Sequence, residues 1–223
     1  MPQSSPSHDP ELMRRLVEGT RRLGLSISAA QATQLLSYLA GLERWNRVHN
    51  LSGQGSPSDF LVQHVFDSMT LVGPLTRYAK GRSLRVLDAG SGAGFPAVVV
   101  AVMRPDWLVA AVDAVAKKMA FARQAANEAG IANLVMHHVR LERFQPAERF
   151  DVVVSRAFAS LDGLVTATEH LLAANGVWVA MKGRSPSSEI AGLAAGVQAF
   201  HVEPVTVPGL NAERNLIWMC RST

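Results

Sequence analysis

Asp88-Ala89-Gly90-Ser91-Gly92-Ala93-Gly94-Phe95-Pro96 places three glycines at alternate positions. It follows a short apolar run, Leu84 to Asp88 (LRVLD), and precedes an uninterrupted one, Ala97 to Met103 (AVVVAVM). The first run reads as a strand and segment 95–103 as a helix, so the three glycines sit on a strand-to-helix turn. Glycine there lets the backbone turn tightly, and lets a ligand approach the helix N-terminus with no Cβ in the way.

On the C-terminal side the same alternation repeats. Leu108 to Asp113 (LVAAVD), Leu134 to His138 (LVMHH), Phe150 to Ser155 (FDVVVS) and Val177 to Met181 (VWVAM) are apolar runs of strand length. Helical segments are expected at 116–129 and 162–173. Strands apolar along their whole length are those covered on both faces, so the pattern predicts an α/β, doubly wound parallel sheet with right-handed crossovers. Segments 197–207 and 214–220, joined by the loop Pro208 to Glu213, predict a C-terminal antiparallel hairpin at one edge. Upstream, residues 1–75 predict a helical N-terminal lobe and 76–223 the α/β domain. Asp9-Pro10 starts a helix lined by Leu12, Leu16 and Leu23; Ser28 with Gln31 forms a capping box ahead of Leu35, Leu39, Leu42, Trp45 and Val48; Ser56-Pro57-Ser58-Asp59 starts a third, expected to stop at Gly73-Pro74. Three such helices make too small a core alone, so they are expected to pack on the α/β domain.

The glycine spacing restricts the ligand. A dinucleotide fingerprint needs G-x-G-x-x-G, but position 95 is Phe and the third glycine comes one residue early. No G-x-x-x-x-G-K-[ST] phosphate loop exists in the chain. Asp88, two residues before Gly90, suits a cationic amine better than a pyrophosphate. D-x-G-x-G-x-G after a first strand resembles the motif of class I S-adenosylmethionine-dependent methyltransferases, whose donor carries an amino acid and an adenosine but no phosphate. Asp113 closes the second strand nineteen residues after Gly94, where a carboxylate can accept both ribose hydroxyls; dehydrogenases use the same position, so Asp113 alone does not discriminate.

Composition excludes several classes. With 48% hydrophobic and 18% charged residues, the 223-residue chain is not disordered as a whole. Its longest uncharged apolar run, Ala89 to Met103, is interrupted by three glycines and a proline and falls short of a membrane span. A single cysteine, Cys220, and no apolar N-terminal stretch predict a cytoplasmic protein. Net charge is +4, and all of it lies in residues 1–85, with ten Lys and Arg against six Asp and Glu; the remainder is balanced at twelve against twelve. The asymmetry points to a polyanion-facing lobe whose candidate contacts are Arg14, Arg15, Arg21 and Arg22. Aromatic residues are only 6%, so docking to such a polyanion would rest on shape and charge more than on stacking.

The acceptor atom is narrowed by absences. Pyrimidine C5 methylation needs a thiol nucleophile, and Cys220 falls in the expected last strand. Exocyclic amines are usually methylated beside an Asn/Asp-Pro-Pro-aromatic turn after the fourth strand; here the chain reads Ser155-Arg156-Ala157-Phe158. Ring nitrogens, hydroxyls and carboxylates remain. A ring nitrogen needs no general base, so no catalytic residue is assigned, Arg156 being the one candidate. Asn46 with Asn50, and His64 with Asp67 and Ser68, can each share a helix face. Two ligands do not make a metal site, so no metal is expected, and these polar groups read either as a buried network joining the two parts of the chain or as a share in shaping the RNA or donor site.

Trp45-Asn46 with Asn50-Leu51-Ser52, His64 to Ser68, Asp88 to Pro96, Arg104-Pro105, Asp113 with Lys117-Lys118, Ser155 to Ala159, and Lys182-Gly183 together resemble the ribosomal RNA small-subunit methyltransferase G family, also called glucose-inhibited division protein B. The loop departs at Ala93 and Phe95, where the family more often carries Pro or Leu. The resemblance implies methylation of guanine N7 in a decoding-region loop of 16S ribosomal RNA, S-adenosyl-L-methionine as donor, and the small ribosomal subunit as partner of a monomeric enzyme. It also implies donor contacts from Gly90 and Phe95, from Asp113 and Ala114, from Leu141 and Glu142, and from Arg156, whose strand-end position suits either the donor's carboxylate or an RNA phosphate. Gly92 and Gly94 complete the loop. Phe95 would pack on the methionine part and Glu142 would accept from the adenine amine; Lys182, ending the fifth strand, would meet phosphate. A small-molecule methyltransferase and a non-catalytic RNA-binding assembly factor are the alternatives.

Overall fold

The computed structural model describes residues 9–49, 55–156, 158–183 and 187–222. Asn50, Leu51, Ser52 and Ala157 lie outside them. Strands β1 (Arg85–Ala89), β2 (Leu108–Asp113), β3 (Leu134–His138), β4 (Phe150–Ser155) and β5 (Leu172–Lys182) are parallel; β6 (Val197–Val205) and β7 (Arg214–Arg221) pair antiparallel, and β7 also runs antiparallel to β5. The seven form one sheet in the order β3-β2-β1-β4-β5-β7-β6. This is the expected doubly wound sheet with its hairpin.

The N-terminal helices are α1 (Pro10–Arg22), α2 (Ala29–His49), α3 (Pro57–Phe60), α4 (Asp67–Met69) and α5 (Val72–Ala79). Within the α/β part, β1 is followed by α6 (Ala97–Met103), β2 by α7 (Ala116–Glu128) and β4 by α8 (Leu161–Thr168). Asp9 caps α1 by accepting from Glu11 N at 2.9 Å, and the Ser28–Gln31 capping box opens α2 with both bonds formed. Leu12, Leu16, Leu35, Leu39 and Leu42 enter one continuous core with Val86, Val109, Val152 and α6, so these helices complete one layer of the sheet. Leu87, Val112, Val153 and Trp178 point the other way, toward α8. Among the described residues no helix is long and apolar enough to cross a membrane, and no cluster of three metal-ligating side chains occurs.

Four local expectations are corrected. The apolar face of α2 ends at Trp45, which packs on Phe121; Val48, nearly a turn further, is 76% exposed because it lies beyond that contact. Gly73-Pro74 does not stop a helix but falls in the first turn of α5, where a missing N–H leaves no bond unmade. Between α3 and α4 the chain widens into a π-helical turn, Leu61–Phe66. β5 starts at Leu172 instead of 177, and the expected 162–173 helix gives way to a 3₁₀ turn over Glu169–Leu171. Asn175-Gly176 resembles a hairpin turn in sequence, but a register shift opposite Phe150/Val152 absorbs the extra residues within the strand.

Candidate active site

The crossovers change side between β1 and β4, so the crevice belongs outside the carboxyl ends of those strands. The glycine loop leaves β1 there. Gly90, Gly92 and Gly94 have φ of 73°, 59° and 87°, a region costly for other residues. Gly90 N and Ser91 N both donate to Val112 O, at 2.9 and 3.1 Å, and Gly92 N donates to Asp113 Oδ2 at 2.9 Å. From the other side the buried Tyr38 hydroxyl of α2 donates to Ala93 O at 2.9 Å. A Cβ on Gly94 would overlap that hydroxyl.

Asp88 lies fully buried under the loop. Its Oδ2 accepts from Ala97 N, at the start of α6, at 2.9 Å, while Oδ1 and the Ser91 hydroxyl are buried without a hydrogen-bond partner. Burial pushes the carboxyl up to about 6, against the opposing pulls of the Ala97 N–H and the nearby Ser91 hydroxyl. Asp113 is oriented differently. Val115 N donates to its Oδ1 at 2.8 Å and Gly92 N to its Oδ2, which leaves further lone pairs for hydroxyl donors. Ala114 is fixed through its carbonyl, 3.2 Å from His138 Nε2, and the neighbouring Val115 offers an apolar surface 40% exposed. In the sequence His138 carried only its strand-end position, and Val115, the residue ahead of α7, carried no signal. Leu141 and Glu142 lie in a 3₁₀ turn after β3, on the same edge; Leu141 packs on the α8-side core and Glu142 is exposed.

Phe95 is 2% exposed, its ring stacked on His64 at 5.1 Å and edge-on to Tyr38 at 5.6 Å. The ring therefore belongs to the core, and the backbone is what Phe95 presents to the loop surface. Arg156, just past β4, donates to Gln63 O at 3.1 Å, and lies 3.4 Å from both Asp67 Oδ2 and His64 Nδ1. Burial and the neighbouring Arg156 charge lower His64 to about 4, so its neutral ring can accept that contact at pH 7. The Lys182 ammonium is turned inward, onto Phe158 O at 3.1 Å, Ala159 O at 3.2 Å and the Glu189 carboxylate at 2.9 Å, and pins the loop after β4. On α1, Arg14 pairs with Glu11 and Glu18, and Arg22 with Glu18, whereas Arg15 and Arg21 make no ion pair among the described residues. Asn46 lies in α2 and shares in contacts of its own.

An unpartnered buried carboxylate oxygen, a glycine cradle that a Cβ would fill and an outward carboxylate on the next strand fit a ligand with an amino group, a slim linker and a diol. The profile of the rRNA small subunit methyltransferase G family matches residues 31–217. The chain belongs to that family. The family's Leptothrix cholodnii protein is 48% identical over 92% of this chain and 93% of its own, and that of Methylibium petroleiphilum 46% over 94% and 95%. Among solved structures, a glycopeptide N-methyltransferase complexed with S-adenosyl-L-methionine superimposes with a TM-score of 0.58 over 72% of this chain and 96% of that one, at 13% identity, a likeness of fold. As a member of the family, the protein is an S-adenosyl-L-methionine-dependent methyltransferase.

Asp113→Ala tests the expectation that this carboxylate accepts both ribose hydroxyls of the donor. Losing two hydrogen bonds to the donor is expected to weaken S-adenosyl-L-methionine binding by about 2 kcal/mol, roughly 30-fold. Calorimetric titration checks it; an unchanged affinity would remove Asp113 from the site.

Proposed function

We propose that the protein transfers a methyl group to N7 of a guanine in the decoding-region loop of 16S ribosomal RNA, acting as a monomer in the cytoplasm on RNA of the small ribosomal subunit. Family membership across residues 31–217 carries the reading. The chemistry of the crevice agrees with it. Bound S-adenosyl-L-methionine supplies an electrophilic methyl on a cationic sulfur, which a ring nitrogen accepts through its lone pair without a general base. Cys220, the chain's one thiol, pairs with Gln198 near the end of β7 and so lies at the edge of the sheet opposite the glycine loop, which argues against a covalent ring adduct. Rate enhancement would come from orientation: Asp88, the glycine turn and Asp113 hold the donor, with Leu141, Glu142 and Arg156 at the rim, while residues 1–75 dock RNA.

Labelled methyl transfer to free small-subunit RNA, to a partly assembled subunit and to the whole subunit tests the reading, with primer extension locating the base. Transfer to a guanine is expected in at least one of the three; transfer to none would overturn it. Arg15→Ala with Arg21→Ala should lower the salt slope of binding by about one unit per arginine, and more than Arg14→Ala with Arg22→Ala, whose charges are already shared with acids.

A further inference from the structure

Arg156 is not alone at its edge of the sheet. β7 is antiparallel to β5, and Asn215 pairs with Lys182, so the start of β7 lies beside the carboxyl end of β5 and two strands from that of β4. Arg214 stands there. Its Nε donates to Asp67 Oδ1 at 2.8 Å while Arg156 meets Asp67 Oδ2 at 3.4 Å. Asp67 is nearly buried, its side chain 3% exposed, whereas both arginine side chains are 29% exposed.

Two guanidinium groups thus share one carboxylate, and His64, neutral at pH 7, adds no charge. The cluster keeps a surplus positive charge. Donors remain as well: among the described residues Arg156 Nε and Arg214 Nη2 have no hydrogen-bond partner, and Arg214 Nη1 is held by Glu213 O at 2.9 Å. The Glu213 carboxylate forms no ion pair among the described residues. Lys182, between the two arginines in strand order, is occupied with its own loop and does not compete. Strands spaced by ~4.8 Å put the arginine pair roughly 5 to 15 Å along the edge from the glycine loop. A partly exposed, pre-oriented pair of guanidiniums matches a phosphate, whose oxygens accept from two forks at once.

We propose that Arg156 and Arg214, yoked by the buried carboxylate of Asp67, seat a backbone phosphate of the RNA next to the base being methylated. This rests on the proposed action on ribosomal RNA. Asp67 is then a positioning residue: it fixes two cations whose spacing sets where the strand lies relative to the donor.

Arg214→Ala and Arg214→Lys in the full chain separate the possibilities. For Arg214→Ala the KM for the RNA substrate should rise about tenfold and the salt slope should fall by about one, with S-adenosyl-L-methionine affinity within about twofold of wild type. Arg214→Lys keeps a charge but not the fork, so it should retain the slope and lose part of the affinity. Thermal melting of both variants controls for folding, and a salt slope is not moved by a merely structural loss. If Arg214→Ala leaves KM and slope unchanged while wild type still methylates RNA, the seat is wrong and the rRNA activity stands. Loss of donor affinity with an unchanged RNA slope would assign the pair to the donor's carboxylate and also overturn the seat. A wild-type protein that methylates no RNA removes both.

Discussion

Gly94→Ala is expected to weaken S-adenosyl-L-methionine binding at least ~100-fold while the sheet stays folded. Two independent costs meet at this residue. Its φ of 87° lies where a Cβ is disfavoured by ~1–2 kcal/mol. A Cβ would also collide with the Tyr38 hydroxyl, a fully buried group, and would stand 3.2 Å from Val98 Cγ2. Relief requires moving either the loop or Tyr38. Moving Tyr38 strips Ala93 O of its donor, a loss of ~1–3 kcal/mol in a buried site, so the loop should move instead. A shifted loop no longer sits over Asp88 and Asp113. Gly130→Ala is the matched control: its φ is 67°, but nothing lies within 4 Å of the new Cβ, so it should lose ~1–2 kcal/mol of stability and no affinity. Tyr38→Phe added to Gly94→Ala removes the clashing oxygen and should recover part of the binding, a coupling that calorimetry on the four proteins would read. Undiminished affinity in Gly94→Ala would mean that the loop's shape does not hold the donor.

How much the sequence disclosed depends on the range of each interaction. β1 to β5 were legible because strands buried on both faces are apolar throughout, and the glycine loop because positive φ demands a specific residue. The caps at Asp9, Ser28 and Ser56 were legible for the same local reason. Asp67 could be placed on a polar helix face, but its partners are 89 and 147 residues away, and no spacing rule joins them. Tyr38 gave no signal at all, since a tyrosine in an apolar helical stripe reads as core until a loop 55 residues on is found beneath its hydroxyl. The π turn was hidden because apolar residues four and five apart fit either winding. Lys182 shows a different limit: a strand-end lysine suggests solvent or phosphate, yet the loop after β4 turns two carbonyls onto its ammonium and Glu189, beyond β5, balances its charge. On α1 a local signal went unused: Arg14 and Arg22 stand among the expected polyanion contacts, yet Glu11 and Glu18 lie three and four residues from Arg14 and partly neutralise both.

Asp88→Asn should stabilise the donor-free protein by up to ~3 kcal/mol at pH 8 and by nothing near pH 4, while weakening donor binding. The carboxyl's folded value is about 6 against 3.8 for an ordinary aspartate, and burial is the dominant cause. A raised value fixes the sign. Below 3.8 the group is neutral in both states and costs nothing; between about 4 and 6 the unfolded chain ionises first, so stability falls as pH rises; above 6 the penalty is constant at ~1.4 kcal/mol for each unit of difference. An amide cannot ionise, and its oxygen can keep the bond from Ala97 N. In a chain of this length each kcal/mol shifts the melting temperature by ~2–4 °C, so the gain at pH 8 should approach ~10 °C and fade on acidification. Donor binding should move in the opposite direction. A buried carboxylate with an unpartnered oxygen is unfavourable until a cation reaches it, so the wild-type protein should gain affinity for S-adenosyl-L-methionine as pH rises through about 6, and the amide variant should not. Equal affinity in the two proteins at pH 8 would confine Asp88 to capping α6. Paired with a stability gain, a loss of affinity would identify the carboxylate as a group retained against the interest of the fold because the donor needs its charge.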